Sequence, residues 1–386
     1  MTAKFYPLAH DNWNDGEVAA IAEVVSSGRY TMGPKVAEFE QKIAAFHGRK
    51  HAIMVNSGSS ANLLMIAALV ESGQLKAGDE VIVPAVSWST TYFPLHQYGL
   101  KMVFVDVEPF GNIDINAIED AITENTKAVF AVHLLGFAAN IRALQLLCIR
   151  NDLIFLEDNC ESFGACSIGT MTGTMGLMSS LSFFFSHHIS TMEGGMILTD
   201  DSTLNEYLRS LRAHGWVRDV TTSDLYQKTD IPFEDSFKFV LPGYCVRPLE
   251  FSGAVGIVQL EKWKEQRLGR LENAKVFVEE FKDFEQCEVP EYDSESTWFG
   301  LPMIVKDGRT RRRWIEICEV EGIECRPIVA GNFVNQPVTR MLNHRVQGTL
   351  PNAERIDKLG LFFGNNGSDL REKIKWLKIV LERKYD

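Results

Sequence analysis

The stretch Leu153-Ile154-Phe155-Leu156-Glu157-Asp158-Asn159-Cys160-Glu161-Ser162 is an apolar run that ends abruptly in acids. Its apolarity is continuous rather than alternating, as expected of a strand buried on both faces of a sheet. Similar runs lie on either side: EVIVPAV from Glu80, KMVFVDV from Lys101, KAVFAVHLL from Lys127, LSFFFS from Leu181 and GGMILTD from Gly194. Each is short, rich in Val, Ile or Phe, and stops in polar or Gly-containing residues, which reads as a strand. Helical patterns separate them. One of these, Ala61–Val70 (ANLLMIAALV), is apolar all round and reads as a buried helix. Strands alternating with helices predict an α/β architecture, a sheet flanked by helices.

The remainder of the chain bounds what that sheet can serve. Its 386 residues suggest one large and one smaller domain. We expect a large domain over residues 1–250, including the N-terminal segment, and a small C-terminal domain of mixed strands and helices over 251–386. Leu260, Trp263, Leu271, Ala274, Phe277, Phe281 and Phe284 recur at near-helical spacing and predict a long amphipathic helix leading into it. Residues 218–242 are polar and irregular and read as a long functional loop. A content of 45% hydrophobic and 23% charged residues excludes disordered, collagen-like and coiled-coil chains. No apolar run reaches the ~18 residues of a membrane span, and the first residues lack the pattern of a secretory signal. A cytoplasmic protein is expected. The net charge of −12 disfavours nucleic acid as a partner but allows a local pocket for a small anion. The seven cysteines include no C-x-x-C pair, so they read as reduced thiols and no metal is expected.

Four segments could carry chemistry. Asn56–Asn62 (NSGSSAN) precedes the buried helix, where small residues, hydroxyls and free N–H groups suit a phosphate, although such a sequence also makes an ordinary helix cap. It lacks the G-K-[ST] of a Walker loop, and no G-x-G-x-x-G follows a strand. Asp158 stands at the carboxyl end of a strand, where α/β sheets bind ligands, or else caps a solvated strand end. In Ser182–Gly195 (SFFFSHHISTMEGG) an aromatic strand runs into tandem histidines. Trp88 follows another strand and could stack on a flat ligand or pack in the core.

Taken in order, these segments resemble the fold type I, pyridoxal-phosphate (PLP) dependent aminotransferases that act on nucleotide-linked keto sugars. The resemblance begins at Ser27–Pro34 and continues through Asn56–Asn62, His133–Gly136, Glu157–Ser162, Ser182–Gly195 and Leu211–Gly215. It extends through Gly243–Glu250 to Gly322–Pro327. It implies a large domain with a mixed, mostly parallel sheet and a smaller C-terminal α+β domain. It also implies a homodimer with shared active sites. By resemblance, Asp158 pairs with the pyridine nitrogen, Trp88 stacks on the ring, Glu161 neighbours its O3 side, and Gly58, Ser59 and Ser182 hold the phosphate. His214 and Arg247 are candidates for substrate or glutamate carboxylate contacts, or for surface ion pairs.

One departure bears on function. The family's lysine, which tethers the cofactor covalently, lies six residues before the Glu of Glu-Gly-Gly; counting back from Glu193 gives His187. An imidazole cannot form that link. This pattern resembles the branch of the family that dehydrates at C3 a GDP-linked 4-keto-6-deoxy sugar, as in colitose-type dideoxysugar synthesis. That branch uses L-glutamate to convert PLP to pyridoxamine phosphate (PMP) and releases ammonia. His187 would be the acid–base catalyst; His188 is its rival, and in an extended strand only one of the two faces the cofactor. The alternatives are a 4-aminotransferase of GDP-perosamine type and a catalytically silent PLP-binding protein. A related dehydratase of CDP-linked sugars needs an iron–sulfur cluster, whose C-x-C grouping is missing here. Cys245 departs from the family's Asn, a residue that reaches the phosphate in the neighbouring subunit.

Overall fold

The computed structural model describes residues 5–383 other than 11, 220–224, 228 and 230. Its main sheet has eight strands in the order His51–Val55, Gly195–Thr199, Met178–Ser182, Ile154–Asp158, Thr126–Val132, Glu80–Pro84, Lys101–Val105 and His344–Val346. Only Gly195–Thr199 runs against its neighbours; every other adjacent pair is parallel. The stretch from Leu153 lies near the middle of this mixed, mostly parallel sheet. Val81, Val83, Phe104, Phe130 and Leu156 enter one core, while Ile82, Val103, Val105, Val129, Ala131 and Phe155 enter another on the opposite face. Burial on both faces is why these strands read as unbroken apolar runs.

The helix Gly58–Glu71 is the buried one. Ala61, Leu64, Met65, Ile66 and Ala68 have no exposed surface, and Ser57 caps the helix by accepting the Ser60 N–H. The smaller sheet comprises Cys287–Glu288, Gly300–Val305, Gly360–Gly364 and Cys325–Arg326, all antiparallel. A 32-residue helix, Glu250–Phe281, joins the two regions. At a rise of about 1.5 Å per residue it is about 48 Å long. Trp263 packs in a large-domain core, while Leu271, Phe277 and Phe281 pack in the small one. Chain also crosses between the regions: Tyr6 lies in the small core, and His344–Val346 extends the large sheet. We therefore propose that the domain division passes through the long helix rather than before it.

One strand falls elsewhere than its sequence suggests. The aromatic run LSFFFS was expected to form a strand, but the strand is Met178–Ser182 and Phe183–Ser186 lie beyond it. The serines belong in the sheet because their hydroxyls find partners there: Ser179 donates to the Gly173 carbonyl at 2.9 Å. The chain then turns, with the His187 N–H donating to the Phe184 carbonyl, before it returns as Gly195–Thr199. The two histidines therefore sit in a turn, and strand alternation does not govern where they face. The expected loop over 218–242 falls partly outside the described residues. The described part contains a short helix, Pro232–Asp235, and exposes Ile231, Phe233, Phe237 and Phe239. Among the described residues no helix is long and apolar enough to cross a membrane.

Candidate active site

The carboxyl ends of the parallel strands open into a cavity of about 390 Å³, at the small end of the range typical of ligand sites. Gly58, Ser59, Trp88, Asp158, Glu161, Ser182 and His187 all line it. Residues more than 120 positions apart in sequence thus converge on one pocket.

Asp158 forms its floor. One carboxylate oxygen accepts from Asn62 Nδ2 and Thr91 Oγ1, each at 2.8 Å, and the other from the Cys160 N–H at 3.2 Å. The group is buried and makes no ion pair among the described residues. A buried anion without a cation is costly. A protonated pyridine nitrogen would supply the missing charge, and the donor set around Asp158 fits the PLP ring in that respect.

At the other end, the first turn of the helix Gly58–Glu71 presents amide N–H groups that have no acceptor within the helix. Ser57 Oγ takes that of Ser60, and the N–H groups of Gly58 and Ser59 remain for an anion. Close packing explains the glycines here. A Cβ on Gly58 would lie 2.6 Å from Ser182 Cβ, and one on Gly195 would lie 2.3 Å from the Ser57 carbonyl group. Trp88 is 59% exposed and stands on the cavity wall, so core packing is not its role.

The structure separates the two histidines. His187 lines the cavity and its Nδ1 lies 2.8 Å from the Cys160 carbonyl oxygen. A carbonyl only accepts, so Nδ1 carries the hydrogen and Nε2 keeps its lone pair. His188 is 1% exposed, lies outside the cavity, donates from Nε2 to the Thr297 carbonyl and packs against Trp263. Phe299 holds both rings edge-on, with centroids 5.0 Å from His187 and 5.6 Å from His188. Burial, reinforced by the Arg270 guanidinium, lowers the His187 pKa to about 4. The sequence alone suggested an ordinary imidazole, partly charged at neutral pH. In the fold it is neutral. Glu161 moves the other way: burial raises its carboxyl to about 7, with the charge of Asp158 adding to the effect and the Leu135 N–H opposing it.

His214 and Arg247 do not line this cavity. The bridge between Ala213 and Cys245 ties their segments together, and the Val246 carbonyl accepts the Asn56 N–H. The chain thus passes beside the Asn56–Asn62 loop. Arg247 and Cys245 face a separate cavity that Arg29, Arg209, Arg212 and Arg218 also line. Arg247 makes no ion pair among the described residues.

Sequence reasoning missed Asn62, Thr91, Phe299, Glu193 and Arg326, the last three of which line the cavity. Asn62 fell within the Asn56–Asn62 motif. Glu193 and Arg326 also fell inside segments that carry the family resemblance, although no role was read for them, whereas Thr91 and Phe299 reach the site only through folding.

Comparison with known proteins agrees with this geometry. The chain is 48% identical over 385 residues to GDP-4-keto-6-deoxy-D-mannose 3-dehydratase of Escherichia coli O55:H7, covering 98% of this chain and 99% of that protein. A solved structure of the E. coli enzyme with bound hydrated PLP matches with a TM-score of 0.95 at 47% identity, over 98% of this chain and 100% of that one. A structure of GDP-4-keto-6-deoxymannose-3-dehydratase with a trapped PLP–glutamate geminal diamine matches at 0.94 and 47%, with the same coverage. The model of the DegT/DnrJ/EryC1/StrS aminotransferase family matches residues 12–363, and the chain belongs to that family.

Proposed function

We propose that this chain is a PLP- and L-glutamate-dependent 3-dehydratase. It removes the C3 hydroxyl of GDP-4-keto-6-deoxy-D-mannose to give GDP-4-keto-3,6-dideoxymannose, with release of ammonia. The observation that carries this reading is the imidazole of His187 on the cavity wall where an aminotransferase needs an amine, in a cavity lined by no lysine among the described residues.

The bound cofactor supplies an electron sink that makes a proton next to the reacting nitrogen removable. Asp158 keeps its ring nitrogen protonated, Trp88 offers a face for the ring, and Gly58, Ser59 and Ser182 receive its phosphate. His187 Nε2, unprotonated at neutral pH, takes up the proton whose removal starts elimination. In a site that disfavours charge the resulting imidazolium is a strong acid, and it passes the proton to the oxygen leaving C3. General acid–base help of this kind is worth about 10² to 10⁴ in rate. With no amine in the cavity, nothing displaces the product as an amino sugar.

The enzyme acts as a cytoplasmic homodimer in this reading. Phe233, Phe237, Phe239 and Leu249 are exposed, which suits a surface covered by a second copy. The Cys245–Arg247 edge, turned away from its own cavity, would then serve the partner's.

His187→Asn should abolish elimination while PLP binding changes by no more than a few fold; His188→Asn should retain elimination. The reverse pattern, scored by ammonia release and PLP absorbance, would move the catalytic role to His188.

A further inference from the structure

Among the described residues Arg326 is the only arginine or lysine that lines the His187 cavity. It belongs to the small-domain wall, where the two-residue strand Cys325–Arg326 pairs with Phe362 and Phe363. Phe362, Pro327 and Val329 line the cavity beside it. Val329 has φ 47°, a strained value for a β-branched residue, so the segment leaving Arg326 is held in one conformation by its surroundings. Arg326 is exposed and makes no ion pair among the described residues. The carboxylates that share the cavity do not neutralise it. Asp158 is engaged by Asn62, Thr91 and the Cys160 N–H, Glu161 by the Leu135 N–H, and Glu193, the third, makes no ion pair with Arg326 among the described residues.

We propose that Arg326 receives a carboxylate of the amino donor and so sets the enzyme's affinity for L-glutamate. This rests on the 3-dehydratase reading above, in which L-glutamate enters the same cavity as the keto sugar. A guanidinium is built for bidentate pairing with a carboxylate. The chemistry of the two substrates separates them. In L-glutamate a carboxylate sits on the carbon that bears the reacting nitrogen, so it must lie inside the cavity with His187. In the sugar nucleotide the diphosphate hangs from C1, across the ring from the reacting C3 and C4. A small cavity that also holds the cofactor leaves the diphosphate outside. The phosphate of the cofactor, for its part, has the N–H groups of Gly58 and Ser59.

The test uses full-length Arg326→Met and Arg326→Lys, each compared with the unaltered chain in two half-reactions. The first follows conversion of PLP to PMP by L-glutamate, with 2-oxoglutarate release. The second is a single turnover of GDP-4-keto-6-deoxymannose by protein already loaded with PMP. The Kd of α-methyl-L-glutamate, which keeps both carboxylates but has no Cα proton to lose, is measured by calorimetry. For Arg326→Met we expect kcat/KM for L-glutamate to fall by about 100-fold, mainly through KM, and the Kd of the analogue to rise similarly. The second half-reaction should change less than about threefold, and Arg326→Lys should recover part of the loss, as a point charge without the planar fork. Equal losses in both half-reactions would assign Arg326 to the sugar nucleotide or to the fold and overturn the proposal. An unchanged KM and Kd would overturn it too. Failure of the unaltered, PMP-loaded chain to turn over the sugar would count against the 3-dehydratase reading instead, and the analogue Kd would still decide the role of Arg326.

Discussion

His187 shows how one side chain acquires its properties from its neighbours. The Cys160 carbonyl fixes the tautomer, Phe299 fixes the ring, and burial keeps it uncharged. These lead to a pH prediction. The folded pKa lies near 4, below the ~6.5 of an unfolded histidine. As pH falls through 6.5 the unfolded state binds a proton that the native state refuses, so the contribution of His187 to stability drops between about 6.5 and 4, while Glu161, raised to about 7, works the other way over the same window. His47, also lowered to about 4 by burial, adds to the slope of His187. Side-chain NMR of the cofactor-free protein should find His187 neutral from pH 8 down to about 5.5. Titration near 6.5 would show that the ring is solvated and its tautomer unfixed. Asp158 was legible from sequence as a strand-end acid, and the place of His187 followed from counting along the family's motif. Arg326 lay in a segment that carried the resemblance but had no role readable from it, and Phe299 was not legible, because both meet the cavity only after the small domain folds against the large one.

At the scale of elements, the strands around Leu153 were readable because burial on both faces leaves an unbroken apolar signature. The aromatic run at Phe183 misled because strand propensity there is overridden by tertiary structure. Serine hydroxyls satisfied inside the sheet take Met178–Ser182 as the strand, while Phe184 and Phe185 stay partly exposed. His344–Val346 carries no apolar signal at all; it is a strand only because it finds the edge at Lys101–Val105. The close approach of Gly195 to the Ser57 carbonyl links the strand Gly195–Thr199 to the loop that, in the proposed function, receives the cofactor's phosphate. Gly195→Ala should cost about 1–3 kcal/mol of stability and push Gly58 and Ser59 out of place. Denaturant unfolding together with a PLP titration checks this: both midpoint and affinity should fall. Unchanged PLP affinity would mean that the loop is not the phosphate site.

For the whole molecule, the arrangement explains why an acidic chain can handle anionic ligands. The net charge of −12 is spread over the surface, while the helix N-terminus at Gly58 and the guanidinium of Arg326 face the cavity. Architecture and cofactor chemistry come with the family; in the function proposed above, the outcome of the reaction turns on the presence of an imidazole and the lack of an amine at one position. Quantitative turnover of GDP-4-keto-6-deoxymannose with L-glutamate and PLP tests this most directly. We predict ammonia, 2-oxoglutarate and the 4-keto-3,6-dideoxy sugar nucleotide in equal amounts. Accumulation of an amino sugar without ammonia would contradict the account.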